Sequence, residues 1–217
     1  MKKTFAIGLT GAHRTGKTTL AREFAKNTGV PFVETNASEI FAKMGMDPSS
    51  EYPIAQRLDV QERILAEFAD KWKSAIANGN GFITDRTPLD MIAYTLANIG
   101  SGEELSPSLE NRLENYIQSC FDIVNYTFDF VVVVLPGIKA VHEEGKARAS
   151  YACIEHIATL IMGLVVSEKI IIPNFYIPRG ETDLDGRIEI LRSAMKKSWK
   201  YQKGFQKVFN DQVITLH

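Results

Sequence analysis

The chain has 217 residues, a formal net charge of −1 and 45% hydrophobic residues. This length and apolar content predict one domain over residues 1–217, and the near-neutral charge excludes a general electrostatic attraction to nucleic acid or membranes. The longest continuous apolar run, residues 130–135, is far too short to cross a membrane. Cys120 and Cys153 are isolated in the sequence, which argues against a disulfide or zinc site and favours a reducing cytosol.

Strand-like and helix-like segments alternate along the chain, with bounds set by apolar periodicity, capping residues and glycine or proline breaks. The pattern predicts strands at residues 5–10, 30–34, 82–84, 128–135 and 169–172. It predicts helices at residues 17–27, 36–45, 54–77, 88–98, 106–125, 151–167 and 184–209. Strands separated by helices predict an α/β protein with a parallel sheet, whose ligand lies at the carboxyl ends of the strands.

The most specific motif follows the first predicted strand and opens the first predicted helix. Residues 11–18, Gly-Ala-His-Arg-Thr-Gly-Lys-Thr, fit the phosphate-loop pattern of a glycine, four free positions and Gly-Lys-Thr. The backbone N–H groups and helix dipole of such a loop bind phosphates, which predicts ATP and Mg²⁺ as cofactors. Lys17 would reach the β- and γ-phosphates and Thr18 would bind the metal. A glycine turn that only caps a helix is the alternative. The expected phosphate-binding residues are Gly11, Ala12, His13, Arg14, Thr15, Gly16, Lys17, Thr18 and Thr19.

Two other strand ends carry charged residues suited to phosphoryl transfer. The carboxylate of Asp85 is suited to hold Mg²⁺. The alternative is that Asp85 only caps the next helix. Arg86 beside it would contact the donor and acceptor phosphates, or pair with a surface acid. Glu34 is suited to act as a general base for a hydroxyl acceptor, whereas an ionised phosphate acceptor needs no base. The alternative is that Glu34 only marks a solvent-facing strand end. Asp90 is a weaker candidate for a sugar or base contact.

The apolar periodicity stops at residues 136–150, a polar segment that includes Lys146 and Arg148. The segment follows the fourth predicted strand and contains Gly145, which can act as a hinge, so it suits a lid over the donor. Closure of such a lid would bring Arg148 onto the transferring phosphoryl group and exclude water. A solvated loop without function is the alternative.

Together, residues 11–18, Glu34, residues 85–90 and the apolar strand followed by the basic segment resemble the nucleoside and nucleotide kinase group of P-loop proteins. That group includes thymidylate kinases, deoxynucleoside kinases and nicotinamide riboside kinases. The chain is similar as well to the bacteriophage branch of 5-hydroxymethyluracil DNA kinases. The resemblance covers the chain to roughly residue 165. It implies a three-layer P-loop kinase fold with a central parallel sheet of about five strands and a lid segment.

The resemblance also assigns roles to six residues. They are Lys17 (phosphates), Thr18 (metal), Glu34 (base), Asp85 (metal), Arg86 (phosphate clamp) and Arg148 (lid cation). Thymidylate kinases usually carry an arginine next to the acid after the second strand, whereas residues 33–35 here are Val-Glu-Thr. This departure counts against a monophosphate acceptor.

The last predicted helix carries a basic face with aromatic residues between its cations. Trp199, Tyr201 and Phe205 are interleaved with cations spaced by three or four residues, which are Arg192, Lys196, Lys200, Lys203 and Lys207. Such a stripe is typical of a surface that follows a phosphate backbone and stacks on bases, so DNA is a predicted partner. Lysines on the wet face of an ordinary last helix are the alternative.

The sequence therefore predicts an ATP- and Mg-dependent kinase for a hydroxyl of a pyrimidine-type acceptor. The most specific hypothesis is 5-hydroxymethyluracil in DNA, as in thymidine hypermodification by a phage. Free deoxynucleosides or their monophosphates are alternative acceptors. A nucleotide-dependent switch is the non-enzymatic alternative, although the chain lacks an Asn-Lys-x-Asp guanine-reading motif. The expected location is the cytoplasm, which for a phage protein is the cytoplasm of the host, and no membrane partner is expected. Whether the chain forms a homodimer is left open by the sequence.

Overall fold

A computed structural model describes residues 5–79, 81–100, 104–139 and 150–214, with side chains up to residue 200. The strands are β1 (Ala6–Thr10), β2 (Phe32–Val33), β3 (Phe82–Thr84), β4 (Phe130–Val134) and β5 (Asn174–Ile177). The helices are α1 (Lys17–Thr28), α2 (Ala37–Lys43), α3 (Ile54–Ala77), α4 (Pro88–Leu96), α5 (Pro107–Thr127), α6 (Tyr151–Val166) and α7 (Leu184–Ile214).

The five strands form one parallel sheet in the order β2-β3-β1-β4-β5. The central strand β1 aligns Gly8 with Thr84 of β3 and with Val131 of β4. Because parallel strands end at the same edge of a sheet, the segments that follow β1, β2 and β3 lie side by side. The predicted parallel α/β fold is confirmed, and this edge is where the phosphate loop begins.

Helices cover both faces of the sheet. On β4, Val131 and Val133 pack into one core with α2 to α6, whereas Val132 and Val134 pack into a second core with α1 and α7. A strand covered on both faces needs apolar residues at every position, which explains the continuous apolar run seen in the sequence. The result is the predicted three-layer arrangement of the P-loop kinase fold.

The predicted strand at residues 169–172 is wrong, because the fifth strand is β5. The Asn125 side chain donates a hydrogen bond to the Lys169 carbonyl at 2.8 Å and accepts one from the Ile171 N–H at 3.1 Å. This side chain therefore takes backbone groups that a strand would use for pairing. Ile171 is 74% exposed. Pairing with β4 begins only at Pro173, whose carbonyl accepts from the Val131 N–H at 3.1 Å.

Most other predicted bounds agree with the structure to within a few residues. Helix α3 has the predicted bounds, whereas β2 is shorter than predicted and α7 continues past residue 209 to Ile214. Residues 140–149, which hold most of the predicted lid and Arg148, lie outside the described residues. In the part of the chain that the structure describes, no helix is both long and apolar enough to span a membrane.

The two cysteines differ in accessibility, and this difference can be measured. Cys120 is buried in the core beside α3 and α4, and burial raises the pKa of its thiol to about 12. Cys153 is exposed on α6. We expect a chromogenic disulfide reagent to modify one thiol in the native protein and the second only after denaturation. Cys153→Ser should abolish the native signal, and rapid modification of that variant would contradict the packing.

Candidate active site

The phosphate loop connects β1 to α1 and depends on its two glycines. Gly16 has φ +83° and forms the N-cap of α1, and Gly11 has φ +152°. A Cβ atom on Gly11 would lie 2.5 Å from the Val134 carbonyl oxygen of β4. Side chains at these positions would strain the backbone or collide with the sheet. The loop therefore lies against the sheet edge with the amino end of α1 directly behind it.

Lys17 lies buried within the loop. Its ammonium group donates hydrogen bonds to the carbonyls of Gly11 at 2.7 Å and Ala12 at 2.6 Å. Burial lowers the pKa of Lys17 to about 8; Asp90 and Asp85 oppose this shift, whereas Arg86 adds to it. The charges of Asp85, Arg86 and Asp90 therefore lie close enough to Lys17 to change its pKa. An anion beside Lys17 would favour its protonated form, as a bound phosphate would.

Asp85 follows β3 and accepts hydrogen bonds from two threonines, Thr18 in the first turn of α1 and Thr35 just after β2. Its Oδ2 accepts from the Thr18 hydroxyl at 2.6 Å. Its Oδ1 accepts from the Thr35 hydroxyl at 2.7 Å and from the Thr35 N–H at 3.3 Å. The carboxylate is only 4% exposed. The structure therefore brings together the two residues that the sequence assigns to the metal, Thr18 and Asp85.

The cap of helix α4 is formed by Thr87 and Asp90 rather than by Asp85. The Thr87 hydroxyl accepts from the Leu89 N–H at 3.2 Å, and Asp90 Oδ2 accepts from the Thr87 N–H at 2.9 Å. The other Asp90 oxygen accepts from the Gly11 N–H at 3.1 Å. Both carboxylate oxygens of Asp90 thus bond to the protein. The structure gives Asp90 a role in joining α4 to the phosphate loop, and not the sugar or base contact suggested from sequence.

Arg86 lies over Tyr94 of α4, close to the phosphate loop. Its guanidinium carbon is 5.5 Å from the centre of the Tyr94 ring, a distance typical of a cation–π contact. The Tyr94 hydroxyl accepts from the His13 backbone N–H at 3.0 Å and is also 3.0 Å from His13 Nδ1. Tyr94 therefore links the predicted phosphate clamp to the loop.

Glu34 follows β2 at the outer side of this cluster. Its carboxylate pairs with the guanidinium of Arg22 on α1, and both side chains are 55% exposed. An exposed ion pair of this kind contributes little free energy, so the carboxylate can change partner at low cost. Thr19, the last of the predicted phosphate-binding residues, is also exposed. The described contacts neither assign nor remove the catalytic role predicted for Glu34.

The site residues fit a magnesium ion. Thr18 and Asp85 present hard oxygen ligands, and Mg²⁺ in kinases is held by one or two protein oxygens together with the phosphates. Within the described ranges there is no cluster of three His, Cys, Asp or Glu residues that would form an all-protein metal site. A nucleotide-bound metal suits such a sparse set of ligands.

A family model described as an AAA domain matches residues 6–125, which is more than half of the chain and includes every site residue described so far. The chain belongs to the AAA domain family. A comparison with curated proteins finds no match for it.

Solved structures share the fold of this AAA domain protein. Deoxyadenosine kinase from M. mycoides, bound to dCMP and dCDP, has a TM-score of 0.58 and 18% identity, covering 88% of this chain and 99% of that one. The same kinase with dATP has a TM-score of 0.59 at 18% identity and the same coverage. NadR protein in complex with NR has a TM-score of 0.64 and 18% identity, covering 90% of this chain and 50% of that one. At this identity the likeness shows the fold alone.

Sequence reasoning missed two residues at the site of this AAA domain protein. Thr35 bonds to Asp85, and Tyr94 bonds to His13. Tyr94 lies four residues after Asp90 on α4, so helical spacing places both on the face toward the loop. Thr35 lies two residues after Val33, the last residue of β2, but no pattern distinguishes it from an ordinary strand end.

Proposed function

We propose that the chain is an ATP-dependent kinase that phosphorylates a hydroxyl group of a nucleoside. The observation that carries this proposal is the contact of 2.6 Å between Thr18 and Asp85 beside the buried ammonium of Lys17. This contact supports a site at the end of β1 that binds a triphosphate and its metal. The fold shared with a deoxyadenosine kinase over 99% of that chain supports the same reaction class.

Each residue of the site has a role in this proposal. The loop N–H groups and Lys17 bind the donor phosphates, and Arg86 neutralises charge on the transferring group. Bound Mg²⁺ supplies further neutralisation of the phosphates. The acceptor oxygen forms the new bond to the γ-phosphorus as the bond to ADP breaks. Glu34 accepts the hydroxyl proton after leaving Arg22, and Arg148 contributes a lid cation.

A free deoxynucleoside is the acceptor that we favour. The fold is shared over 88% of this chain and 99% of the other chain with a kinase that is named for a deoxynucleoside, deoxyadenosine kinase. The sequence at residues 33–35 also argues against a monophosphate acceptor.

A panel of acceptors tests this proposal. The protein is incubated with γ-labelled ATP and, separately, with deoxyadenosine, deoxycytidine, thymidine, dTMP, nicotinamide riboside, and duplex DNA with or without 5-hydroxymethyluracil. We expect label on a deoxynucleoside. Tight ATP binding with no transfer to any member would instead favour a nucleotide-dependent switch.

Glu34→Gln should lower kcat by about a hundredfold with a hydroxyl acceptor, since the amide cannot take the proton. The matched control is Glu39→Gln on α2, because Glu39 is as exposed as Glu34 and likewise forms an ion pair, with Lys43. Steady-state kinetics with the best acceptor provide the measurement. An unchanged kcat in Glu34→Gln would show that another group accepts the proton.

Duplex DNA carrying 5-hydroxymethyluracil is the second candidate acceptor, and the surface of α7 is what favours it. Lys196, Lys197 and Lys200 are all exposed, whereas Arg192 pairs with Glu189 at 3.5 Å. Exposed cations along one helix suit contact with a phosphate backbone. The side chains of Lys203 and Lys207, which complete the predicted stripe, lie outside the described residues.

Replacing Lys196, Lys200 and Lys203 by glutamine distinguishes duplex DNA from a free nucleoside as the acceptor. If DNA is the substrate, oligonucleotide affinity should fall and its dependence on salt should flatten by about 0.9 units of log–log slope per lost phosphate contact. With a free nucleoside, kinetics should stay unchanged. Lys26→Gln together with Lys73→Gln is the control, because both lysines are exposed on other helices. Fluorescence anisotropy at several salt concentrations provides the measurement.

A further inference from the structure

Arg187 is a buried cation that links helix α7 to the phosphate loop. It lies in the first turn of α7 and is only 1% exposed. Its Nη1 donates to the Thr15 carbonyl at 2.8 Å, and its Nε donates to the Glu181 carbonyl at 2.7 Å. A Cβ atom on Gly16 would lie 3.1 Å from Nη1. The guanidinium thus lies directly against the second half of the loop.

The burial of Arg187 carries a cost in free energy. Burial lowers the pKa of the guanidinium, and Glu181 only partly opposes this shift. Its Nη2 is buried and has no hydrogen-bond acceptor among the described residues. An unpaired buried donor costs free energy, which offsets part of what the two hydrogen bonds of Arg187 contribute. What Arg187 contributes is the position of the carbonyl that it holds.

The Thr15 carbonyl and the Gly16 N–H belong to the same peptide group. In a planar trans peptide these two groups point in opposite directions, so holding the carbonyl outward turns the N–H inward. Gly16 has no Cβ to restrict this peptide, and its φ of +83° is one of several conformations open to glycine. The hydrogen bond from Arg187 therefore favours one orientation of this peptide over the others.

We propose that Arg187 is a positioning residue that aims the Gly16 N–H at the phosphates of the donor nucleotide. This inference rests on the proposed use of the loop to bind a triphosphate. It makes the first turn of α7 part of the phosphate site, although that turn is distant in sequence from the motif and lies outside the residues matched by the family model.

Calorimetric titration with AMP-PNP in the presence of Mg²⁺, and separately with adenosine, tests this role. Arg187→Met should weaken AMP-PNP binding by about tenfold to a hundredfold, the range for one hydrogen bond to a charged group, and leave adenosine binding unchanged. The AMP-PNP affinity of Arg187→Lys should fall between those of wild type and Arg187→Met, because lysine keeps the positive charge but lacks the planar set of donors with which Arg187 reaches two carbonyls. The KM of the acceptor should not change in either variant.

Arg179→Met is the matched control, because Arg179 lies in the connection just before α7 but is half exposed and pairs with Glu155 at 2.6 Å. It should bind AMP-PNP as wild type does. If Arg187→Met does not fold, the decisive variant is Arg187→Lys, for which an unchanged AMP-PNP affinity would overturn the inference. Equal losses for AMP-PNP and adenosine would overturn it as well, since they indicate general disruption.

The same titrations separate this inference from the proposed function. Wild-type protein that binds AMP-PNP but phosphorylates no acceptor would refute the proposed kinase activity. An AMP-PNP affinity that decreases from wild type to Arg187→Lys to Arg187→Met would still support the role of Arg187. Normal transfer by wild type with unchanged AMP-PNP affinity in folded Arg187→Met would refute only the inference. Failure of wild type to bind AMP-PNP would overturn both.

Discussion

Lys17→Met should reduce phosphoryl transfer by about a thousandfold, the largest effect that we expect from any single substitution. Lys17 is a buried cation whose ammonium group lies within the loop, and removal of one preorganised donor from a transition state costs about a hundred- to a thousandfold in kcat. The loss of charge beside the phosphates places Lys17 at the upper end of that range. Single-turnover kinetics with saturating ATP provide the measurement.

The fold should tolerate this substitution. Lys17 is buried as a cation whose pKa burial has lowered to about 8, so a methionine of similar length removes an unfavourable burial of charge. The thermal unfolding midpoint should therefore stay close to that of wild type. Lys26→Met is the matched control, because Lys26 lies on the same helix but is exposed and pairs with Glu23 at 3.1 Å. Comparable transfer rates in the two variants would remove the phosphate role from Lys17.

Asp85→Asn should lower kcat by about a hundredfold and raise the Mg²⁺ concentration needed for half-maximal activity. The amide keeps an oxygen that can accept from Thr35, so the connection between β2 and β3 should survive. It loses the negative charge beside Thr18 that a metal requires. Magnesium titrations at fixed ATP provide the measurement, and a change in metal dependence distinguishes a metal role from a structural one.

Asp129→Asn serves as the control for Asp85→Asn. Asp129 lies just before β4, at the opposite end of the sheet, where its Oδ2 accepts from the Ala6 N–H at 2.9 Å. The substitution should affect stability but not the magnesium requirement. If both variants lose activity only in proportion to their stability, Asp85 is a structural acid and the proposed metal site is wrong.

The sequence was most informative where local chemistry decides the structure. The phosphate loop needs glycines at two positions, and the bounds of α3 follow from its apolar periodicity and from the proline before it. Pro88 at the start of α4 likewise marks a helix that the structure contains. Such features depend on residues close together in the chain, so they can be read without the fold.

The sequence was less informative where contacts between residues distant in the chain decide the structure. The isoleucine run before Pro173 has the composition of a strand, but Asn125 on α5 takes its backbone groups. The orientation of Glu34 depends on Arg22 of α1, and the burial of Arg187 depends on Thr15. Each outcome is a tertiary contact between segments that no local pattern connects.

Helix α4 takes up part of the hydrogen-bonding capacity of the phosphate loop. The N–H of Gly11 is satisfied by Asp90, and the N–H of His13 is satisfied by the Tyr94 hydroxyl. Both amides already donate to α4, so we expect the donors for a triphosphate to come mainly from the later part of the turn and from the start of α1. The first half of the turn is thus shaped by a neighbouring helix before any nucleotide arrives, so substitutions on that helix should change nucleotide affinity without touching the ligand.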